Sequence, residues 1–247
     1  MILLSYDVEI FNELEVDGKE IGLENIIPSV AAYCLDDLQV KYFDNAPKPM
    51  SRETAKQLVL EMMNHYKNGI IPLTHNGLSF DFKLLAFYSG MIEECARLAL
   101  NHIDTMFLVT CYKGYYIGLD TLLSGMEVEQ KLHEVILNDG SSLNNFTGRL
   151  APEMWRKGEC NAVKKYLAQD VISLMKLAQA IESKSKITWF SNSGKPQVLW
   201  TKLLPVKECF KIFPPNVSWM TDPPKRKDFV VWIPTEIFRE EVPNVIL

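Results

Sequence analysis

Two carboxylates, Asp7 and Glu9, follow directly on the apolar run Ile2-Leu3-Leu4 in the stretch LSYDVEIFNE. Side chains two apart on a strand share a face, so the two acids point together while Val8 points into the opposite layer. Paired carboxylates at the end of a buried strand repel each other and resist desolvation unless a cation lies between them. A hard divalent ion, Mg²⁺ or Mn²⁺, prefers carboxylate oxygen and water. Two such ions about 3.5–4 Å apart can clamp the attacking and leaving oxygens of a phosphoryl displacement. Such a site needs three or four acids. Asp81 and Asp170 are the candidates for the others, because periodicity puts each at the edge of an apolar helical face.

The elements that must position these acids follow from the pattern. Met1–Val8 reads as a buried strand, Ser29–Leu35 and Gln39–Phe43 as two more joined at Asp36-Asp37-Leu38, and Ile70–Thr74 as a fourth. Ser51 is a candidate N-cap for a helix running to about Tyr66, with Ala55, Leu58, Val59, Met62 and Met63 at three- and four-residue spacing and Gly69 beyond its end. After the Asn76-Gly77 turn, Phe80, Leu84, Phe87 and Tyr88 recur at helical spacing, which sets Asp81 in a first turn. A long helix spans about Glu159–Ser183, where Val163, Leu167, Val171, Leu174, Ala178 and Ile181 form one stripe flanked by Tyr166 and Asp170, one turn apart. Strands interleaved with helices predict an α/β domain.

In this order, YDVE (Asp7, Glu9), HNGLSFD (Asn76, Phe80, Asp81) and YLAQD (Tyr166, Asp170) resemble the three motifs of the DEDD 3′-to-5′ exonucleases. The resemblance covers roughly residues 1–183, and NGLSFD is most similar to the proofreading domains of family B DNA polymerases. Taken singly, each feature has an ordinary explanation: a strand-end charge pair, a helix cap, a core-edge aromatic. The ordered combination is what is specific. The resemblance implies an RNase H-like fold, a mixed sheet with one antiparallel pair near an edge and helices on both faces. It also implies two ions, Mg²⁺ or Mn²⁺. Asp7, Glu9 and Asp170 would hold the one that binds the attacking water, and Asp7 and Asp81 the one facing the leaving 3′ oxygen. Tyr166 would orient the water. Position 165 is Lys165 rather than histidine, so the chain resembles the tyrosine branch, DEDDy.

Many relatives carry a small hydroxyl residue directly after the glutamate, where it contacts the terminal sugar; here that place holds Ile10. Phe11 and Phe80 are the candidates for stacking on or wedging against the last base, worth ~1–3 kcal/mol per base, and Asn76 for a polar contact there. Asp104 in HIDT falls near a further strand, where relatives of this family often carry an aspartate; a role supporting the metal ligands is weighed against a surface or capping one, and the residue is left outside the site. His65, His75, His102 and His133 share no ligand spacing.

Composition bounds the rest. A chain of 247 residues with 47% hydrophobic and 23% charged content can bury a full core. Five cysteines scattered singly suggest neither a disulfide framework nor a thiolate metal site. No signal peptide or membrane span is evident, so a soluble protein of the reducing cytoplasm is expected. Residues 1–183 hold 16 basic and 25 acidic side chains, whereas residues 184–247 hold 10 and 6, with four of the five tryptophans and eight of the thirteen prolines. We therefore expect an exonuclease domain over 1–183 and a basic, Trp/Pro-rich appendage over 184–247 that starts with a β-hairpin around Ser-Asn-Ser-Gly. Basic charge with interleaved tryptophan suits a nucleic-acid strand, and the same tryptophans can instead pack the tail onto the domain.

The expected activity is hydrolysis of DNA or RNA from a free, single-stranded 3′ end, releasing nucleoside 5′-monophosphates. No polymerase follows in the chain, so it would act alone or with a protein partner in replication, repair or defence. The alternative is a catalytically silent RNase H-like module that binds nucleic acid or a partner.

Overall fold

The computed structural model describes residues 1–16, 18–191 and 193–245. In chain order its strands are β1 (Ile2–Ile10), β2 (Glu15–Val16), β3 (Lys19–Glu20), β4 (Pro28–Cys34), β5 (Val40–Asp44), β6 (Ile70–Thr74), β7 (Ile103–Asp104), β8 (Glu134–Ile136), β9 (Ser142–Asn144), β10 (Lys186–Phe190) and β11 (Pro196–Trp200). Its α-helices are α1 (Arg52–Lys67), α2 (Asp81–Ser89), α3 (Ile92–Asn101), α4 (Thr105–Lys113), α5 (Leu119–Met126), α6 (Ala151–Arg156), α7 (Cys160–Lys184), α8 (Val206–Cys209) and α9 (Thr235–Glu241).

Five strands form one mixed sheet in the order β5-β4-β1-β6-β7, antiparallel from β5 to β1 and parallel from β1 to β7. The antiparallel part therefore comprises two strand pairs and reaches the sheet centre. β1 is longer than its apolar run suggests. Expected to end at Val8, it continues to Ile10, so Asp7 and Glu9 lie inside the strand. The ladder to β4 supplies the backbone partners that let the strand outlast its apolar residues.

Alternate residues of β1 meet different helices. Tyr6 stacks on Phe82 of α2, with ring centroids 5.7 Å apart, while the carboxylate oxygens of Asp7 and Glu9 gather with that of Asp170 of α7. Helices α2 and α7 thus cover opposite faces of the sheet. Helix α1 begins as its sequence predicts, with the Ser51 hydroxyl accepting the Thr54 amide at 3.1 Å. Helix α7 buries the predicted stripe from Val163 to Ile181.

Residues beyond 184 pack into the same hydrophobic core as the sheet. Phe210 and Phe229 flank Phe107 of α4 at 5.2 and 4.9 Å, and the Trp232 indole donates to the Leu78 carbonyl at 2.9 Å. Arg226, from the basic run, donates to the carbonyls of Ile212 and Cys111 at 2.7 and 2.9 Å. The tryptophans differ in burial. Trp189 and Trp232 are buried, whereas Trp200 and Trp219 are 72% and 69% exposed. Strands β10 and β11 form the predicted antiparallel hairpin; Asn192 of its turn lies outside the described residues. All five cysteines are buried and unpaired, and among the described residues no helix is long and apolar enough to cross a membrane.

The hairpin is seated on α5 at Gly125. A Cβ there would lie 2.2 Å from the Thr188 carbonyl oxygen and 2.3 Å from the Trp189 Cα, both rigid backbone. Gly125→Ala is therefore expected to destabilise the protein by about 3 kcal/mol, the upper range for overpacking, read as a lower urea midpoint with α5 and the hairpin losing amide protection first.

Candidate active site

The site lies where β1 loses a neighbour. Its pairing with β4 continues to Ile10, but its pairing with β6 stops at Ser5↔Leu73. Beyond Ser5 the second edge carries no strand, and its backbone donors need another acceptor. Asp81, the first residue of α2, provides one: its Oδ1 accepts the Val8 amide at 3.2 Å. From the opposite layer α7 brings Tyr166 and Asp170, and carboxylate oxygens of Asp7, Glu9 and Asp170 lie within 4.8 Å of one another. Glu9, Asp81, Asp170 and Tyr166 are buried, and Asp7 keeps some exposure.

Burial raises every one of these carboxyls above its ordinary range. For Glu9 the charges of Asp7 and Asp170 add to the effect, and for Asp81 that of Asp7 does. Asp7 is raised by burial against the pull of Lys131, and Asp170 is pushed up to about 7 by burial despite the same lysine. The Lys131 Nζ stands 2.8 Å from Asp170 Oδ2 and donates to the Tyr166 hydroxyl at 3.2 Å. Burial works against its charge, but Asp170, Tyr166 and Asp7 outweigh it and hold the ammonium above the usual lysine range. Sequence reasoning passed over this residue because its segment shows no periodicity.

One ammonium cannot balance this cluster. Asp170 Oδ1 is buried without any hydrogen-bond partner, and Asp170 belongs to the converging carboxylate set. A convergent set of oxygen donors with an orphaned oxygen fits a hard divalent cation. The Tyr166 ring rests on Phe146 at 4.9 Å, and because its oxygen accepts from Lys131, its own proton is left available to donate to another group.

The turn before α2 is held by Asp104, which the sequence reading left outside the site. Asp104 is buried, with Oδ1 accepting the amides of Asn76, Met106 and Phe107 and Oδ2 that of Leu78, at 2.9–3.0 Å. Burial alone would raise its carboxyl, but His102 and these amides hold it below the ordinary range. Asn76 takes φ +77°, and a Cβ on Gly77 would lie 2.4 Å from the Thr74 hydroxyl. This closed turn fixes the direction from which Asp81 enters.

Asp7, Glu9, Tyr166, Asp170 and Lys131 line a cavity of about 450 Å³, and Ile10 and Phe80 line an adjoining one of about 430 Å³. Phe11 and Asn76 line neither. Phe11 packs on the core with its carbonyl accepting from Arg156, and the Asn76 side chain accepts from Ser79.

No family model matches the chain. Over 74% of its length it is similar to a family B DNA polymerase from the hyperthermophilic archaeon Pyrobaculum calidifontis, with a TM-score of 0.51 and 14% identity, spanning 24% of that chain. The fold is RNase H-like. E. coli Exonuclease I in complex with an oligonucleotide aligns over 74% of this chain and 40% of its own at a TM-score of 0.34 and 11% identity, too low to add to the RNase H-like assignment. Among curated proteins, 127 residues, 49% of the chain, are 28% identical to an exocyst complex component 3-like protein of Danio rerio, of which the chain spans 16%.

Two outcomes follow from this geometry. Asp104→Ala leaves four amides without their acceptor and is expected to cost about 3 kcal/mol in denaturant unfolding. The second concerns pH. A carboxyl whose folded pKa is raised binds its proton more tightly in the native state, so its burial weakens the fold above that pKa and the penalty is relieved as pH falls. With EDTA present, stability should fall by on the order of 3 kcal/mol between pH 5 and pH 8. Adding Mn²⁺ should remove most of that slope and raise the melting temperature more at pH 8 than at pH 5.

Proposed function

We propose that the chain is a metal-dependent 3′-to-5′ exonuclease of the DEDDy type, removing nucleoside 5′-monophosphates from a single-stranded end. The observation that carries this reading is the convergence, at one open strand edge, of four carboxyls, three of them buried, and a tyrosine from three distant segments. It is supported by the motif order in the sequence and by the fold shared with the family B polymerase.

In this reading Asp7, Glu9 and Asp170 hold one divalent ion, and Asp7 with Asp81 a second. The ions supply Lewis acidity toward water and the phosphate oxygens. The protein's own groups do the rest. Tyr166 directs its hydroxyl at the attacking water, and Lys131 fixes that hydroxyl from behind while offsetting charge on Asp170. Ile10 and Phe80 form an apolar wall against the terminal nucleoside, and Phe11 and Asn76 are the further candidates for contact with it. The appendage over 184–247 serves the strand further upstream. Tyr116, Phe190 and Trp219, each more than half exposed, line a cleft of about 780 Å³ with Trp189, and Lys113 lies 5.5 Å from the Trp189 ring. Such aromatic faces take stacked bases without regard to sequence.

The test is a time course on 5′-labelled single-stranded DNA and RNA with Mg²⁺, Mn²⁺ or EDTA. A metal-dependent one-nucleotide ladder shortening from the 3′ end is expected. Asp7→Ala should lower the rate by at least about 10³-fold and Lys131→Ala by about 10²-fold, with strand binding retained. Strands that stay intact yet tightly bound would instead make the chain a binding module.

A further inference from the structure

The two adjoining cavities meet at Glu9, Gly148 and Arg149, which line both. This junction carries a cation that the chain leaves unused. Arg149 is exposed and makes no ion pair among the described residues, although Glu9, Glu13, Glu15, Asp120, Asp7 and Asp170 line the same two cavities. The neighbouring cations are committed elsewhere. Arg156 is 2.5 Å from Glu13, and Lys131 is bound to Asp170. The residue before Arg149 keeps the approach open. A Cβ on Gly148 would stand 3.7 Å from both carboxylate oxygens of Glu9, so a side chain there would cover them. A guanidinium with no ion pair among the described residues, lining both the acid cavity and the one that carries Ile10 and Phe80 alongside Glu13 and Glu15, is placed for an anion that joins the occupants of the two.

We infer that Arg149 binds the phosphate that becomes the 5′-phosphate of the released nucleotide. This rests on the exonuclease reading: with the terminal nucleoside against Ile10 and Phe80 and the reacting phosphorus at the acids, the group spanning the junction is the phosphate linking that nucleoside to the strand. The guanidinium presents its planar fork of donors to two non-bridging oxygens, a geometry that an ammonium does not reproduce. Arg149 therefore touches substrate before the cut and product after it. It makes the site discriminate a nucleoside 5′-monophosphate from the bare nucleoside.

The test follows displacement of a 5′-fluorescein oligonucleotide by anisotropy in EDTA, where divalent ions contribute nothing. The competitors are dTMP against thymidine and UMP against uridine. In the wild type the monophosphate is expected to displace the strand at about tenfold lower concentration than the nucleoside, the gain of one charge-assisted contact. In Arg149→Ala that ratio should fall below about 2, with Arg149→Lys between the two and a salt slope for strand binding reduced by about one. Equal displacement by nucleotide and nucleoside in the wild type, or a ratio unchanged in Arg149→Ala, overturns the inference. Failure of the exonuclease reading is seen separately, as absence of metal-dependent shortening in the wild type, whatever the ratio.

Discussion

The structure turns on the cost of gathering Asp7, Glu9 and Asp170, whose carboxylate oxygens lie within 4.8 Å of one another, beside the buried Asp81. Carboxylates taken out of water lose several kcal/mol of hydration each unless something replaces it, and like charges in a low-dielectric site compound that loss. The chain answers with three devices in one place. Lys131 brings a positive charge into the cluster, the Val8 amide points at Asp81, and the remaining deficit is left at the unpartnered Asp170 Oδ1. A strand edge left open by β6 makes all three possible. Had the parallel ladder run on past Ser5, the Val8 amide would have had a carbonyl partner and Asp81 no way in.

Rigid support for this arrangement comes from residues that never reach the acids. Asp104 binds both sides of a corner at once, the turn that leaves β6 and the start of α4, so β7 and α2 are referred to the same carboxylate. Trp232 then closes over the turn from outside through its hydrogen bond to Leu78. The tail's contribution to the site is thus mechanical on one side, where Trp232 and Phe229 are buried, and open on the other, where Trp219 faces the aromatic cleft.

What could be read from the sequence was what repeats or has fixed spacing. The i, i+2 spacing of Asp7 and Glu9 and the four-residue step from Tyr166 to Asp170 survive as geometry because each pair sits on one regular element. The strand β1 was read two residues short, because the pattern was judged by hydrophobicity whereas its end is set by hydrogen bonding to β4. Lys131 lies in an irregular stretch just before β8, and its place beside Asp170 arises from tertiary folding over 39 positions, which no local pattern encodes. Asp104 looked like a helix cap and is one. Its second carboxylate oxygen, on the Leu78 amide, was invisible until β6 and β7 were paired. Among the substrate candidates, Ile10 and Phe80 line one of the two cavities at the site, and Phe11 and Asn76 line neither.

The hydrogen bond from Val8 to Asp81 has a spectroscopic meaning. In a sheet interior an amide proton reports only on its neighbouring strand, whereas this one is bound to a side chain of the acid cluster itself. Its chemical shift and its exchange with solvent must therefore follow whatever charge or ion Asp81 carries. The chain holds, near the end of its central strand, a backbone resonance through which the state of the cluster can be observed without adding a label.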